Sequence, residues 1–282
     1  MSQVQPSDTL REWSESAKYW EMHAQTIRTM FAPVTRALIE EAGIIQGDVV
    51  LDVAGGPGEP SFTIAEIVGP TGSVTCTDAV AEMVAAAQRE AVRRGLNNMS
   101  FQQCLADSLP FEKNSFDAAV SRLGVMFFPD PLSAVRNMLS VIKPGGSLSF
   151  AVWHESNANP FFYIVADVIS LHIKTPPPDP EAPGAFRFAE TGKLGRILKE
   201  AGATQIRERL LKFRIEAPIS RDEFWEMRSG TSGTLRQKLD ALSAELRLKV
   251  AKEVKEAVAQ FFLNERMSIP AQMLIVSGDK PA

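Results

Sequence analysis

The feature that most constrains this chain is an alternation of strand-like and helix-like segments between residues 48 and 153. The strand-like runs are short and rich in branched apolar residues. Most are followed by a longer segment with apolar residues at three- and four-residue intervals, which is the helical pattern. Because parallel strands need a long crossover connection, usually a helix, this order predicts an α/β fold in which helices cover both faces of a parallel sheet.

Three other segments lie outside this alternation, and we expect them to form a helical lid. The pattern over 8–42 is helical, and Pro33 is expected to divide it into two helices. A proline-dense run, TPPPDPEAPG, excludes regular structure from part of the first insertion, whereas the second carries a helical Leu/Val stripe. The predicted organisation is an N-terminal helical cap (1–42), a ligand-binding core (43–153), a cap insertion (154–190) and the remainder of the core (191–282) with a helical insertion at about 220–266.

Composition and charge exclude several classes of protein. The 282 residues are 45% hydrophobic and carry a net charge of −4, so there is no electrostatic argument for a nucleic-acid partner. Cys76 and Cys104 form neither a disulfide framework nor a zinc pattern, which favours a reducing compartment, and we expect the cytoplasm. The N-terminus does not resemble a secretory signal, and no apolar run reaches the roughly 18 residues of a membrane span. We therefore expect no integral membrane association.

A glycine-rich turn follows the first predicted strand in VVLDVAGGPGEPSF, residues 49–62. Strand, acid, glycine cluster and helix start follow one another in this stretch, and in open α/β sheets such turns are nucleotide sites. The dinucleotide fingerprint would require a third glycine where Ser61 stands. That departure disfavours an NAD(P) site.

Five motifs together resemble the class I S-adenosylmethionine-dependent methyltransferases. In order over residues 48–153 they are LDVAGGPGEP, SVTCTD, CLADSLPF, SFDAAVSRLGVMFF and KPGGSLSFAVW. The run AD-x-LPF…FD…KPGG is most similar to the ubiquinone/menaquinone-biosynthesis-like branch of that family. The resemblance implies a Rossmann-like sheet of seven mostly parallel strands with an antiparallel last strand. It also implies S-adenosyl-L-methionine as cofactor and S-adenosyl-L-homocysteine as product.

The resemblance further implies which residues contact the cofactor. Asp78 stands where the family binds the ribose hydroxyls, and Ala106, Asp107 and Ser108 stand where it contacts adenine. The full predicted set is Ala54, Gly55, Gly56, Gly58, Asp78, Ala79, Met83, Ala106, Asp107, Ser108, Arg122 and Leu123. The family most often has glycine where this chain has Ala54, a methyl group that is tolerable at negative φ and costly at positive φ.

Several of these residues also have a purely structural interpretation. Asp78 is alternatively a helix N-cap, Asp107 a turn residue and Met83 ordinary core. Asp52 is expected to be a structural acid that binds amides of the turn. Arg122 is unusual for a nearly buried position, and a buried arginine needs a partner. Asp107 and the cofactor carboxylate are the two partners considered.

The chemistry implied by the resemblance demands little of the protein beyond alignment. Methyl transfer from a sulfonium releases a neutral leaving group, and proximity alone contributes up to ~7–11 kcal/mol in well-oriented cases. A general base is needed only when the nucleophile must lose a proton. His154, directly after SLSFAVW, is the first candidate for a catalytic base and His23 the second. A hydrogen-bonded structural histidine is the alternative, and no metal-ligand spacing is present.

The sequence therefore predicts methyl transfer to a small, apolar or aromatic molecule whose acceptor atom is O, C or N, by a protein that is a monomer or homodimer. The alternatives are a non-catalytic nucleotide-binding regulatory protein and, less favoured, an NAD(P)-dependent oxidoreductase. The apolar character of the acceptor follows from the aromatic residues outside the core. These are Trp20, Phe127, Phe128, Phe161, Phe162, Tyr163, Phe186, Phe188 and Trp225.

Overall fold

The fold is built on one mixed β-sheet. The computed structural model describes residues 6–174 and 179–282. Its strands are β1 (Val49–Val53), β2 (Ser73–Asp78), β3 (Met99–Gln103), β4 (Phe116–Arg122), β5 (Ile142–Trp153), β6 (Thr204–Ala217), β7 (Phe262–Leu263) and β8 (Arg266–Asp279). They lie in the order β3-β2-β1-β4-β5-β8-β6, and β7 pairs with β8 outside this path.

The helices flank this sheet and extend beyond it. In the described ranges they are α1 (Pro6–Met22), α2 (Ala24–Ala42), α3 (Ser61–Val68), α4 (Ala81–Arg94), α5 (Pro131–Val141), α6 (Pro160–Ser170), α7 (Lys193–Ala201), α8 (Arg221–Thr231), α9 (Gly233–Asp240) and α10 (Ala244–Ala257). None of them is both long and apolar enough to cross a membrane.

The predicted sheet is confirmed in its strand directions. Strands β1 to β5 pair in parallel, and β8 is antiparallel to both β5 and β6. The structure adds a two-residue strand, β7, that the sequence analysis did not predict. It pairs with β8 through a turn in which Asn264 and Glu265 both have positive φ, the backbone form that suits a tight hairpin.

The centre of the sheet explains where a ligand can bind. Strands β1 and β4 are adjacent, and their apolar side chains, such as Leu51 and Val120, have no exposed surface. Strand order runs from β1 towards β3 on one side and towards β5 on the other. The carboxyl ends of β1 and β4 therefore flank the topological switch point, where open α/β sheets bind their ligands.

The prediction that Pro33 divides the N-terminal helical segment is wrong. The chain breaks at His23, and α2 continues through Pro33 to Ala42. A proline inside a helix costs ~3 kcal/mol, but the apolar face of α2, including Phe31 and Val34, is buried in the main core against the sheet. Tertiary packing thus outweighs the local penalty, and α2 is part of the core.

The remaining helices build a layer beside the sheet. The predicted Leu/Val stripe is divided between α9 and α10, and its members Val250, Val254 and Val258 have no exposed surface. Helix α1 packs against α4, α8 and α9, so the first helix and the second insertion are in contact. Of the proline-dense run, residues 175–178 lie outside the described residues.

Candidate active site

The glycine-rich turn after β1 has a backbone that most residue types resist. Gly56 and Gly58 have φ of 56° and 111°, and Ala54 has φ of 59°. A Cβ on Gly55 would lie 2.7 Å from both Asp52 Oδ2 and Cys76 Sγ, and one on Gly58 would overlap the Phe62 ring. The turn therefore requires its glycines. Ala54 has a positive φ, the backbone conformation that is costly for alanine and that glycine would adopt without strain.

Asp78 connects this turn to the end of β2. Its Oδ2 accepts from the Gly56 amide (3.0 Å), and its Oδ1 accepts from the Val80 amide (2.9 Å). Burial raises the pKa of this carboxyl to about 6, although backbone hydrogen bonds oppose the rise. The side chain is only half-buried, and a carboxylate has about four acceptor sites. Asp78 can thus hold the turn and still accept hydrogen bonds from a ligand.

Asp52 lies on β1, the strand next to the one that Asp78 ends, and its environment differs from that of Asp78. It has no exposed surface, and its Oδ2 accepts from Ser61 Oγ at the start of α3 (2.6 Å). Its Oδ1 has no hydrogen-bond partner among the described residues. Desolvation raises the pKa of Asp52 to about 7. The expected binding to amides of the turn is replaced here by binding to the first residue of α3.

Arg122 fastens the end of β4 to the turn and to α2. Its Nη2 donates to the carbonyl of Glu59 (3.0 Å) and its Nη1 to Thr35 Oγ1 (2.9 Å). Nε is buried without a partner among the described residues. Asp107, one of the two partners considered for this arginine, is exposed and makes none of these bonds. Leu123 follows with a φ of 66°, so the backbone turns sharply at this point as well.

The other predicted cofactor contacts lie after β2 and β3. Met83 is buried with Val80 against Ala17 of α1, and the Ala79 carbonyl accepts from Gln103 Nε2 (3.1 Å). Ala106 is half-buried, and its neighbours Asp107 and Ser108 are exposed in the loop after β3. Since Asp78 and Gln103 are register partners in adjacent strands, these loops leave the sheet side by side.

The two candidate histidines differ in their hydrogen bonding. His154 follows β5, and its Nδ1 lies 2.9 Å from the Ala189 carbonyl. His23 lies between α1 and α2, and its Nε2 is buried without a hydrogen-bond partner among the described residues. No described residue hydrogen-bonds the Nε2 of His154 or either ring nitrogen of His23. Within the described ranges no group of three His, Cys, Asp or Glu side chains lies close enough to hold a metal ion.

Aromatic side chains pack against one another between the strand ends and the outer helices. Trp13 of α1 contacts Phe127 edge-on at 5.0 Å and Trp20 at 5.9 Å, and Trp20 Nε1 donates to the Thr231 carbonyl (3.1 Å). Trp153, at the end of β5, was not among the aromatic residues expected here. Trp153 ends an apolar strand, and the sequence of that strand does not indicate that its ring contacts Phe31 and Phe162.

Comparisons with known proteins agree with this geometry. A family model described as a methyltransferase domain matches residues 50–146. The ubiquinone/menaquinone biosynthesis C-methyltransferase UbiE of Cellvibrio japonicus is 40% identical over 114 residues, which are 40% of this chain and 46% of that protein. The chain spans about half the length of the curated relatives it matches.

Solved structures share the fold at low sequence identity. The YcgJ protein from Bacillus subtilis has a TM-score of 0.56 at 22% identity, over 89% of this chain and 99% of that one. Phosphoethanolamine N-methyltransferase 2 of Haemonchus contortus, in complex with S-adenosyl-L-methionine, has a TM-score of 0.56 at 16% identity, over 93% and 57%. Residues 50–146 therefore match a methyltransferase domain, and the curated relatives that this chain resembles are ubiquinone/menaquinone biosynthesis C-methyltransferases.

Proposed function

We propose that this protein is a methyltransferase that moves the methyl group of S-adenosyl-L-methionine to a small apolar or aromatic molecule by in-line displacement. The observation that carries the proposal is the bond between Asp78 and the Gly56 amide. It joins the acid after β2 to the glycine turn after β1, beside the switch point and inside the methyltransferase domain.

The residues of this site fit the proposed cofactor. Asp78 has acceptor capacity left for the ribose hydroxyls. Apart from the chain neighbours of Gly56, no described residue lies within 4 Å of where a Cβ on Gly56 would be. Ala54, Gly55, Gly58 and Leu123 shape the backbone around that space. Ala79, Met83 and the loop 106–108 would hold the adenine. Arg122, whose buried Nε lacks a partner among the described residues, is the proposed contact of the cofactor carboxylate.

The cofactor supplies an activated methyl group and a neutral leaving group, so the protein's part is to bind, align and exclude water. Where the acceptor must lose a proton, His154 is the proposed base because it follows β5 and keeps Nε2 for the acceptor. His23 is the second candidate. The buried Nε2 of His23 is short of one hydrogen bond, which an acceptor hydroxyl would supply.

The same site also suggests what kind of molecule this protein acts on. We propose a small-molecule acceptor because aromatic residues of α1, the loop after β4 and α6 pack beside the strand ends. We propose no nucleic-acid partner, a monomer or homodimer, and a cytoplasmic location.

Calorimetric titration with S-adenosyl-L-homocysteine and with NAD⁺ tests the ligand class. We expect binding of the first and none of the second, and an Asp78→Ala variant should lose at least about tenfold in affinity. Glu112→Gln, an exposed change far from the turn in sequence, is the control. Binding of NAD⁺ alone would contradict the proposal.

A methyl-transfer assay across phenols, quinols and amines then tests catalysis. We expect turnover of at least one class of acceptor, and a loss of about 10²–10⁴-fold in His154→Ala if the acceptor must be deprotonated. Full activity of His154→Ala with a phenol would assign the base elsewhere. S-adenosyl-L-homocysteine binding with no turnover of any acceptor would favour the non-catalytic alternative.

A further inference from the structure

Arg228 is a cation that contacts two aromatic rings and has no polar partner in the described part of the chain. Its guanidinium carbon lies 4.6 Å from the centre of the Phe161 ring and 4.9 Å from that of Phe162. Nε is buried and unbonded, and the guanidinium makes no hydrogen bond or ion pair with another described residue. Burial lowers the pKa of Arg228 to about 10, and no carboxylate offsets that effect.

This environment is costly for a guanidinium. Removing an arginine from water is strongly unfavourable without hydrogen-bonding partners, and contact with aromatic faces offsets only part of the cost. Arg236, on the neighbouring helix α9, has the hydrogen-bonding partners that a partly buried arginine usually has, since it donates to the Gly230 carbonyl and to Ser16 Oγ. The donors of Arg228 are instead left free, although part of the side chain remains accessible.

The position of Arg228 connects it to the candidate active site. Phe162 contacts Trp153 edge-on at 4.7 Å, and Trp153 ends β5 immediately before His154. On the other side, Thr231 of the same helix accepts from Trp20 of α1. Arg228 therefore lies among the aromatic side chains that connect the carboxyl end of β5 to the outer helices.

We propose that Arg228 binds a carboxylate carried by the methyl acceptor, so that the substrate is an apolar or aromatic acid. This inference rests on the proposed function and names its substrate class. A guanidinium binds a carboxylate through two parallel hydrogen bonds, which would provide the partners that Arg228 lacks. The rings of Phe161 and Phe162 beside it suit the apolar part of such an acid.

The carboxylate of the cofactor is the competing anion, and Arg122 is the residue proposed above for it. Arg122 is bonded to Glu59 of the glycine turn, whereas Arg228 is on α8 against the rings of α6. The two arginines therefore contact different elements, and we expect them to bind different anions. Separate measurements of cofactor-product and acceptor binding distinguish their roles.

The test is titration of the protein, saturated with S-adenosyl-L-homocysteine, with acids and their neutral amides. The probes are 4-hydroxybenzoate, indole-3-acetate and octanoate, each paired with its amide. We expect at least one acid to bind about tenfold more tightly than its amide, and Arg228→Met to remove that preference while amide affinity stays within about twofold. Arg228→Lys should keep part of it, and Arg221→Met on the same helix should keep all of it.

Thermal unfolding separates a ligand-binding role from a structural one. Because Arg228→Met removes an unpaired buried charge, its midpoint should equal or exceed that of the wild type. A fall in the midpoint would assign Arg228 to structure and overturn the proposal, as would the absence of any acid that binds more tightly than its amide. Weaker S-adenosyl-L-homocysteine binding in Arg228→Met with an unchanged acid preference would assign the arginine to the cofactor. Failure of the wild type to bind S-adenosyl-L-homocysteine would instead contradict the proposed function.

Discussion

Asp52 and Asp78 show how two carboxyls on adjacent strands acquire different tasks. Burial raises the pKa of both, to about 7 for Asp52 and about 6 for Asp78. Asp78 is bonded only to backbone amides and is partly accessible, whereas Asp52 is fully enclosed and bonded to Ser61. Only Asp78 is therefore able to meet a ligand, and Asp52 fixes the path from β1 into α3.

The raised pKa of Asp78 predicts pH-dependent cofactor binding. As pH falls through about 6 the carboxylate takes up a proton and becomes a weaker acceptor for hydroxyl groups. Affinity for S-adenosyl-L-homocysteine should fall about tenfold per pH unit below that point, and Asp78→Asn should bind weakly at every pH. Calorimetry between pH 5 and 8 measures this. A flat wild-type profile would contradict it.

The raised pKa of Asp52 predicts an effect on stability. A carboxyl whose pKa is higher in the folded state stabilises the fold below its unfolded value of 3.8, and this stability is lost as pH rises through about 7. Asp52→Asn keeps an acceptor for Ser61 without a charge. It should be more stable than the wild type at pH 8, by roughly 2–4 kcal/mol, and should lose most of that advantage at pH 5.

Urea denaturation at both pH values measures the difference, and Glu112→Gln is the exposed control. Equal destabilisation by Asp52→Asn at pH 5 and pH 8 would show that the charged form is not penalised in the fold.

At the scale of elements, the core alternation was predictable because it follows from apolar periodicity. Strands β1 to β5 and their helices lie where the pattern placed them. The predicted break at Pro33 was wrong because tertiary packing of α2, which a local pattern does not reveal, keeps the helix continuous. Strand β7 was not predicted because its two residues are too few to show an apolar period. The surroundings of Arg228 come from α6, some 65 positions earlier, so no local pattern announced them.

The loops after β1 and β4 are packed tightly against each other, which predicts a compensating pair of substitutions. A Cβ on Gly124 would lie 2.5 Å from Cβ of Ala54 and 2.7 Å from Ser121 Oγ. Gly124→Ala should therefore destabilise by about 1–3 kcal/mol. Adding Ala54→Gly should recover part of the loss, because it removes one of the two clashes and the positive-φ penalty. Strictly additive effects in a double-mutant cycle would contradict this coupling.

At the scale of the whole molecule, the described residues form a sheet core and a layer of outer helices bonded to one another. Trp20 of α1 donates to Thr231, and Gln237 of α9 donates to Glu12 of α1. The buried cluster of Ala17, Val80 and Met83 joins α1 to the start of α4. A ligand bound at the strand ends would thus stabilise parts of the chain that are far apart in sequence.

Ligand binding should accordingly raise the unfolding temperature of the entire chain. At a concentration 100 times its dissociation constant, S-adenosyl-L-homocysteine should stabilise the fold by about 2.7 kcal/mol, or about 5–10 °C in the midpoint. Differential scanning calorimetry measures this, with NAD⁺ at the same concentration as the control. A similar shift with both compounds would contradict a selective site.

The Trp20–Thr231 bond joins two stretches that both lie outside the matched domain of residues 50–146. The part of the molecule that we propose holds the cofactor, about a third of the chain, is encoded as one continuous block, and the parts that we propose face the acceptor are encoded on either side of it. If the proposed function holds, we expect variation in those flanks to change which compound is methylated while the binding of the methyl donor stays the same.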